Sequence, residues 1–262
     1  MSSLLAAGLI GVLAVGSAAG GEFLAAGVLI AQVVFVMGAV RVAPVPAASG
    51  AAWLALLVGA GATAWTAWAG LPGLSPVAIV LGPALVLAIV LQLVRRDGRP
   101  RLTASLTLAV SACVLVVLPV AWVGLRYADG GGHAVALGLL GAGIAVLADA
   151  LRVSAMLRRL LGVLVAAALA AGLVVWLETF SLVPAVSAVV VAAFGAVMAI
   201  VALAAVDVLA DESRRSQGQP HAVGYTRDVA VAMTPLRVVM PVVVAAPVVY
   251  VLGRILVEYA SR

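Results

Sequence analysis

Residues 76–94 read PVAIVLGPALVLAIVLQLV, and residues 102–125 read LTASLTLAVSACVLVVLPVAWVGL. The stretch between them, residues 95–101, reads RRDGRPR and carries four arginines. Neither apolar run contains a charged side chain, and a helix needs about 20 such residues to cross the hydrocarbon core of a membrane. This pattern predicts two transmembrane helices joined by a basic loop.

The composition of the whole chain agrees with this interpretation. Of its 262 residues, 66% are hydrophobic and 10% are charged, whereas about 25% of the residues of a soluble globular domain are charged. The mean hydropathy is +1.29. These values exclude a water-soluble fold. At about 20 residues per span plus a short loop, the length leaves no room for a separate soluble domain.

The same criterion predicts an all-α polytopic membrane bundle of about nine transmembrane helices, in one domain covering residues 1–262. The predicted spans are residues 4–20, 23–40, 51–70, 76–94, 102–125, 133–148, 160–177, 184–206 and 229–256. The longest predicted cytoplasmic loop is residues 207–228. The first hairpin has an alternative, because one broken helix over residues 4–40 would give eight spans.

The distribution of arginine predicts how the chain is threaded, since cytoplasmic loops are enriched in basic residues. If nine spans alternate in direction, 11 of the 15 basic residues fall on one side, Arg126, Arg254 and Arg262 fall on the other, and Arg237 is left inside the final apolar run. We therefore expect the N-terminus inside and the C-terminus outside. All 15 are arginine, and with the Ala, Val, Gly and Leu bias this is typical of a GC-rich bacterial genome. We expect a multi-pass protein of the bacterial cytoplasmic (inner) membrane.

Several function classes are disfavoured by the sequence. The pI near 10.3 does not indicate a nucleic-acid partner, because the basic residues lie in short loops between apolar runs and are explained by membrane orientation. Cys113 is the single cysteine, so it has no intrachain disulfide partner. His133 and His221 lack a second ligand at metal spacing. We expect no metal site, no cofactor and no nucleic acid.

Two residue types inside the spans bear on helix packing. Small residues four positions apart let helix backbones approach closely in lipid. Pro119, Pro241 and Pro247 lie inside predicted spans and are expected to kink them, which frees backbone carbonyls for a neighbour. The small-residue sets are Gly16 with Gly20, Ala167 with Ala171, and Gly138 with Gly141 and Gly143.

Ionisable residues near or inside apolar runs are candidate site residues, because a charge at membrane depth costs about 2.5–3.5 kcal/mol on insertion scales. Arg237 lies inside the last run, so it needs a carboxylate or an anionic headgroup, unless Thr234-Pro235 begins that helix and leaves it at the interface. Asp149 has an alternative partner in Arg152, three residues on. The predicted lipid or headgroup pocket comprises Arg237, Asp149, Asp207, Asp228, Arg214 and Arg215.

Glu22 is a separate candidate, because it follows directly on the Gly20-Gly21 turn between the first two spans. A carboxylate at a membrane interface is inexpensive, so an interfacial position explains it without a function. A possible intramembrane ion site is the alternative. A transport path would join Glu22 to Arg237 along the proline-broken helices.

The order of these features resembles the CDP-diacylglycerol synthase (phosphatidate cytidylyltransferase) family of bacterial inner-membrane enzymes. Asp149 ends a span, Ala205-Val206-Asp207 is similar to the family's Gly-Asp, and Glu212-Ser213-Arg214-Arg215 resembles its Glu-Ser and Lys-Arg elements. Arg237 followed by Ala245-Ala246-Pro247-Val248-Val249-Tyr250 resembles the end of its signature. The resemblance covers about half of the chain and implies a polytopic fold with a lipid-binding pocket on the inner side.

The chain departs from that family where its metal ligands lie. The family's Asp-Arg-x-Asp would put acids at the positions of Leu236 and Val239, and its His-Gly-Gly is replaced at His221 by Ala222-Val223. Without those acids, two-metal phosphoryl chemistry loses its ligands. The resemblance therefore implies a degenerate, non-catalytic relative.

Three functions remain as hypotheses from the sequence. The leading one is a non-catalytic accessory or scaffold subunit for lipid or cell-envelope polymer assembly, with membrane lipids and other membrane proteins as partners. The second is a small transporter or channel component. The third is a CTP-dependent phosphatidate cytidylyltransferase, which the missing acids disfavour.

Overall fold

A computed structural model describes the backbone of residues 2–42, 48–70, 72–94, 102–177, 185–216 and 227–260. Side chains are described for residues 2–42, 49–70, 72–94, 102–175, 186–213, 215 and 233–256. The regular elements in these ranges are all α-helices. They are α1 (Ser2–Ala19), α2 (Gly21–Val42), α3 (Ala48–Ala69), α4 (Ser75–Val94), α5 (Leu102–Val117), α6 (Val120–Arg126), α7 (Gly131–Asp149), α8 (Ala155–Leu177), α9 (Ala185–Ser216) and α10 (Arg227–Ala260).

The described residues contain nine helical segments that are long and apolar enough to cross a membrane. The prediction of an all-α polytopic bundle is therefore confirmed. Helices α5 and α6 together make one of these spans, Leu102–Arg126. They are separated at Pro119, where the Leu118 N–H bonds to the Leu115 carbonyl and the regular ladder is interrupted. The break expected at this proline is thus present.

The first two spans form a tight antiparallel hairpin. Gly20 has a φ of 150°, a conformation that side-chain-bearing residues avoid. The missing side chain of Gly16 allows close approach, because a Cβ there would lie 3.3 Å from the Phe23 carbonyl oxygen. Further along, Leu13 packs into the space at Gly27. The alternative of one broken helix over residues 4–40 is therefore wrong.

The most buried part of the bundle is built around α7, which packs against α1, α8, α9 and α10. A Cβ on Gly141 would clash with the Ala192 carbonyl, and a Cβ on Gly195 would clash with the Gly138 carbonyl. Helices α7 and α9 therefore touch backbone to backbone. This contact confirms the close packing expected at Gly138 and Gly141.

Helix α8 uses a different small-residue stripe from the predicted one. Ala166 and Ala170 are fully buried, and a Cβ on Gly162 would lie 3.3 Å from the Ala145 Cα on α7. Ala167 and Ala171 are half-buried beside this stripe. The predicted four-residue spacing is correct, but the small residues that pack against α7 lie one position earlier in the sequence than predicted. An alanine-rich helix has small residues on more than one face, so the spacing alone does not select the packed face.

Helices α9 and α10 are longer than their predicted spans. They contain 32 and 34 residues, or about 50 Å each at 1.5 Å per residue, whereas the hydrocarbon core is about 30 Å thick. Helix α9 continues through Asp207 to Ser216, so residues 207–216 are helical where a loop was expected. Hydropathy detects the end of an apolar run, which is not the end of the helix.

The start of α10 also corrects one expectation. The helix begins at Arg227, and Pro235 lies inside it. Thr234-Pro235 is therefore not the first turn of this helix, although the segment long and apolar enough to span a membrane begins beside it, at Met233.

The turns collect at two opposite ends of the bundle. At one end, called here the Tyr127 end, the Tyr127 hydroxyl donates to the Ala67 carbonyl at 3.1 Å, and Arg126 Nε donates to the Ser17 carbonyl at 2.8 Å. The other, the Arg237 end, carries Asp149, Asp207 and Arg237. This grouping is the one that alternating spans require. Which end faces the cytoplasm stays a prediction.

Candidate functional site

Arg237 lies between two carboxylates from two other helices. Its Nη1 donates to Asp207 Oδ1 on α9 at 2.9 Å, and its Nη2 donates to Asp149 Oδ2, on the last residue of α7, at 3.1 Å. One guanidinium therefore joins α7, α9 and α10. The expectation that Arg237 pairs with a carboxylate is confirmed for two of the three candidate acids.

Arg158 extends this arrangement from the first turns of α8. Its Nε lies 3.4 Å from Asp149 Oδ1, and its Nη1 donates to the Asp149 backbone carbonyl at 3.3 Å. A cation at a helix C-terminus is favourable, because the last carbonyls lack intrahelical partners. Asp149 thus pairs with Arg158 and Arg237, and the expected pair with Arg152 is wrong because α7 ends at Asp149. Asp149, Arg158, Asp207 and Arg237 are called the Arg237 cluster below.

The members of the Arg237 cluster differ in their exposure to solvent. The Asp149 side chain is 14% exposed and the Arg237 side chain 22%, whereas Asp207 is 46% exposed. An ion pair between exposed groups contributes about 0–1 kcal/mol, but removing one partner of a buried pair is costly. The Arg237–Asp149 contact is therefore the more consequential of the two.

The other predicted site residues lie apart from this cluster or outside the described side chains. Arg215 is exposed and lies 3.9 Å from Glu212 in the same helix, an i,i+3 pair at the surface. Glu22 is exposed in the first turn of α2, next to the turn at the Tyr127 end. The side chains of Asp228 and Arg214 are outside the described residues. Glu22 and Arg237 therefore lie at opposite ends of the bundle.

A small cleft beside the Arg237 cluster was not expected from the sequence. It lies between the end of α7, the start of α8 and α9, and it holds about 20 Å³, or about 320 Å³ when its open mouth is included. The smaller volume corresponds to about one water-sized group. The lining residues are Ala145, Asp149, Arg158, Arg159, Ile200, Leu203, Ala204 and Asp207.

A second polar contact joins three helices near the middle of the bundle. Gln32 is 2% exposed, and its Nε2 lies 2.9 Å from Thr63 Oγ1 and donates to the Val116 carbonyl at 3.0 Å. The Val116 carbonyl belongs to the last turn of α5, where intrahelical donors are missing. Gln32 is thus the neighbour that uses a carbonyl exposed by the break at Pro119. The sequence signal for this contact is that Gln32 is the only amide side chain in the apolar run of residues 23–40.

The chemistry available at the Arg237 end is ion pairing. In the described part of the chain, no three His, Cys, Asp or Glu side chains come together as a metal-ion site. Both acids of the Arg237 cluster have guanidinium partners instead. No protein-family model, curated protein sequence or solved structure matches the chain.

Proposed function

We propose that this chain is a non-catalytic accessory or scaffold subunit for lipid or cell-envelope polymer assembly in the bacterial cytoplasmic membrane. The observation that carries the proposal is the pairing of Arg237 with both Asp149 and Asp207. Carboxylates engaged in this way fasten helices to one another. This use of the two acids supports a structural role for the Arg237 cluster.

The charge balance of the Arg237 cluster also supports a structural role. The formal charges of its two acids and its two arginines cancel. A catalytic divalent metal needs carboxylate oxygens that are free to coordinate it, and it keeps an open coordination position for water or substrate. To bind here, a metal would displace Arg237 from Asp149 and leave a half-buried guanidinium without its partner, which is unfavourable.

The extension of α9 supports a role in binding a partner protein. Residues 207–216 continue the helix beyond the apolar run. Leu209 is 46% exposed in this extension, and Glu212 is exposed as well. A helix that carries exposed apolar and charged side chains beyond its most apolar segment offers a contact surface for another subunit.

Purification of the tagged chain from native membranes in mild detergent tests this function. We expect the 26.1-kDa chain to be recovered with a second polypeptide in fixed stoichiometry, and Leu209→Ser to weaken that complex. Leu151→Ser is the matched control, because Leu151 is 47% exposed and lies at the same end. The proposal would be contradicted if the chain were recovered without a second polypeptide and the purified chain catalysed a reaction by itself.

A further inference from the structure

The cleft beside the Arg237 cluster is lined by both charged and apolar side chains. The charged residues are Asp149, Asp207, Arg158 and Arg159, and the apolar residues are Ala145, Ile200, Leu203 and Ala204. The cleft lies at the end of the spans, where lipid headgroups surround a membrane protein. A site with this division of polar and apolar surface suits a ligand that is itself amphipathic.

Among the described residues that line the cleft or pair with its acids, the charges do not cancel. Asp149 and Asp207 are balanced by Arg158 and Arg237, and Arg159 adds one further positive charge. Arg159 has no ion-pair or hydrogen-bond partner among the described residues, and it is exposed at the cleft. The net charge of these five side chains is therefore +1, which complements one singly charged anion.

Arg158 has donors left for such an anion. It contacts Asp149 with Nε and Nη1, and a guanidinium carries five N–H donors in a fixed plane. Its Nη2 group is thus available, and Arg159 lines the same cleft. Two neighbouring guanidinium groups are the side chains best suited to bind phosphate oxygens.

The surfaces next to the cleft favour a lipid over a soluble phosphate compound. On α9, Val201 is 50% exposed and lies one helical turn before Ala204, deeper along the span. On α8, Leu160 and Leu164 are 50% and 63% exposed and follow the arginines toward the middle of the bundle. Acyl chains can lie along these apolar surfaces while a phosphate contacts the cleft.

We propose that this cleft binds one phosphodiester lipid with a single negative charge, with its phosphate held by Arg159 and Arg158. One phosphate oxygen occupies the enclosed space and the remainder of the headgroup fills the mouth. The inference rests on the proposed function in one respect, namely that the Arg237 end is a binding region. It moves the headgroup contact from Arg237 to Arg158 and Arg159, because both Nη groups of Arg237 already donate to carboxylates, whereas Arg158 and Arg159 line the cleft.

Native mass spectrometry of the purified full chain, titrated with phosphatidylglycerol in detergent, tests the site. We expect one bound lipid, and we expect Arg159→Gln to weaken its binding by at least about tenfold, the factor that corresponds to about 1.4 kcal/mol. Arg152→Gln is the matched control, because Arg152 is exposed at the same end and does not line the cleft. Ala204→Leu, which adds volume to the lining of the cleft without changing its charge, should weaken binding as well.

Three results would overturn this inference. Equal losses in the Arg159 and Arg152 variants would indicate general electrostatic attraction. Equal binding of zwitterionic phosphatidylcholine would remove the charge argument, and displacement of the lipid by millimolar inorganic phosphate would identify a site for a free anion. A complex that keeps its partner polypeptide but binds no phosphatidylglycerol would contradict the lipid site and leave the accessory-subunit proposal intact.

Discussion

Arg237 and Asp149 lie 88 positions apart in the sequence, and their side chains are joined by a hydrogen bond of 3.1 Å. The bond connects α10 to the C-terminal residue of α7. Because Arg237 also binds Asp207, one side chain fixes three helices at the same end of the bundle.

The first prediction concerns the threading of the chain. Reporter fusions after Asp97 and Gln217 should report cytoplasm, and fusions after Gly131 and Arg262 should report the outer side, because arginine concentrates in cytoplasmic loops. The measurement is the activity of a compartment-specific reporter in intact cells. A cytoplasmic C-terminus together with a cytoplasmic Asp97 loop would be incompatible with nine alternating spans, because five spans separate the two positions.

The second prediction concerns the backbone contact of α7 and α9. Gly195→Ala should lower the free energy of unfolding by about 1–3 kcal/mol, the usual cost of overpacking, because the new Cβ would meet the Gly138 carbonyl. Gly172→Ala is the control, since nothing lies within 4 Å of a Cβ at that position of α8. Alanine is the better helix former, so the control should be neutral or slightly stabilising in thermal unfolding.

The third prediction concerns the polar contact at Gln32. Gln32→Leu should destabilise the protein by about 1–2 kcal/mol, since hydrogen bonds between membrane helices contribute about 0.6–2 kcal/mol and the Val116 carbonyl would lose its donor. Val33→Leu is the control, because Val33 is 44% exposed on the lipid-facing side of the same helix. Equal melting temperatures for the two variants would count against a structural role for Gln32.

The fourth prediction concerns catalysis. Purified protein given CTP, phosphatidic acid and Mg²⁺ should form no CDP-diacylglycerol, because Leu236 and Val239 stand where the resembled enzymes have acids. Asp149 and Asp207 are already paired with Arg237. Product above a no-protein control would restore the cytidylyltransferase hypothesis.

The fold was largely predictable because span length and loop charge are properties of the local sequence. Hydropathy located nine spans, and Pro119 marked the break between α5 and α6. The lengths of α9 and α10 were not predictable in this way, because residues 207–216 are charged and still helical. The hydropathy of a segment indicates whether it prefers lipid, not whether its backbone is hydrogen-bonded as a helix.

The site was predictable only in part. A charge within an apolar run indicated that Arg237 needs a partner, and alternating spans brought Asp149 and Asp207 to the same end. Pairing of Asp149 with Arg158 instead of Arg152 depends on the turn at Ala150, after which α8 returns across the end of α7. A contact of this kind follows from tertiary geometry, and sequence spacing alone does not contain it.

The most direct test of the structural role of Arg237 is a double-mutant cycle with Arg237→Gln and Asp149→Asn, read out as the free energy of unfolding in detergent. We expect each single variant to cost about 1–3 kcal/mol, because it leaves a largely buried polar partner unsatisfied, and a coupling energy of about 0.5–3 kcal/mol. The exposed Glu212–Arg215 pair is the control cycle, with an expected coupling of about 0.3–0.5 kcal/mol. Additive effects of the Arg237 and Asp149 variants would contradict the account, since they would mean that this ion pair does not hold the helices together.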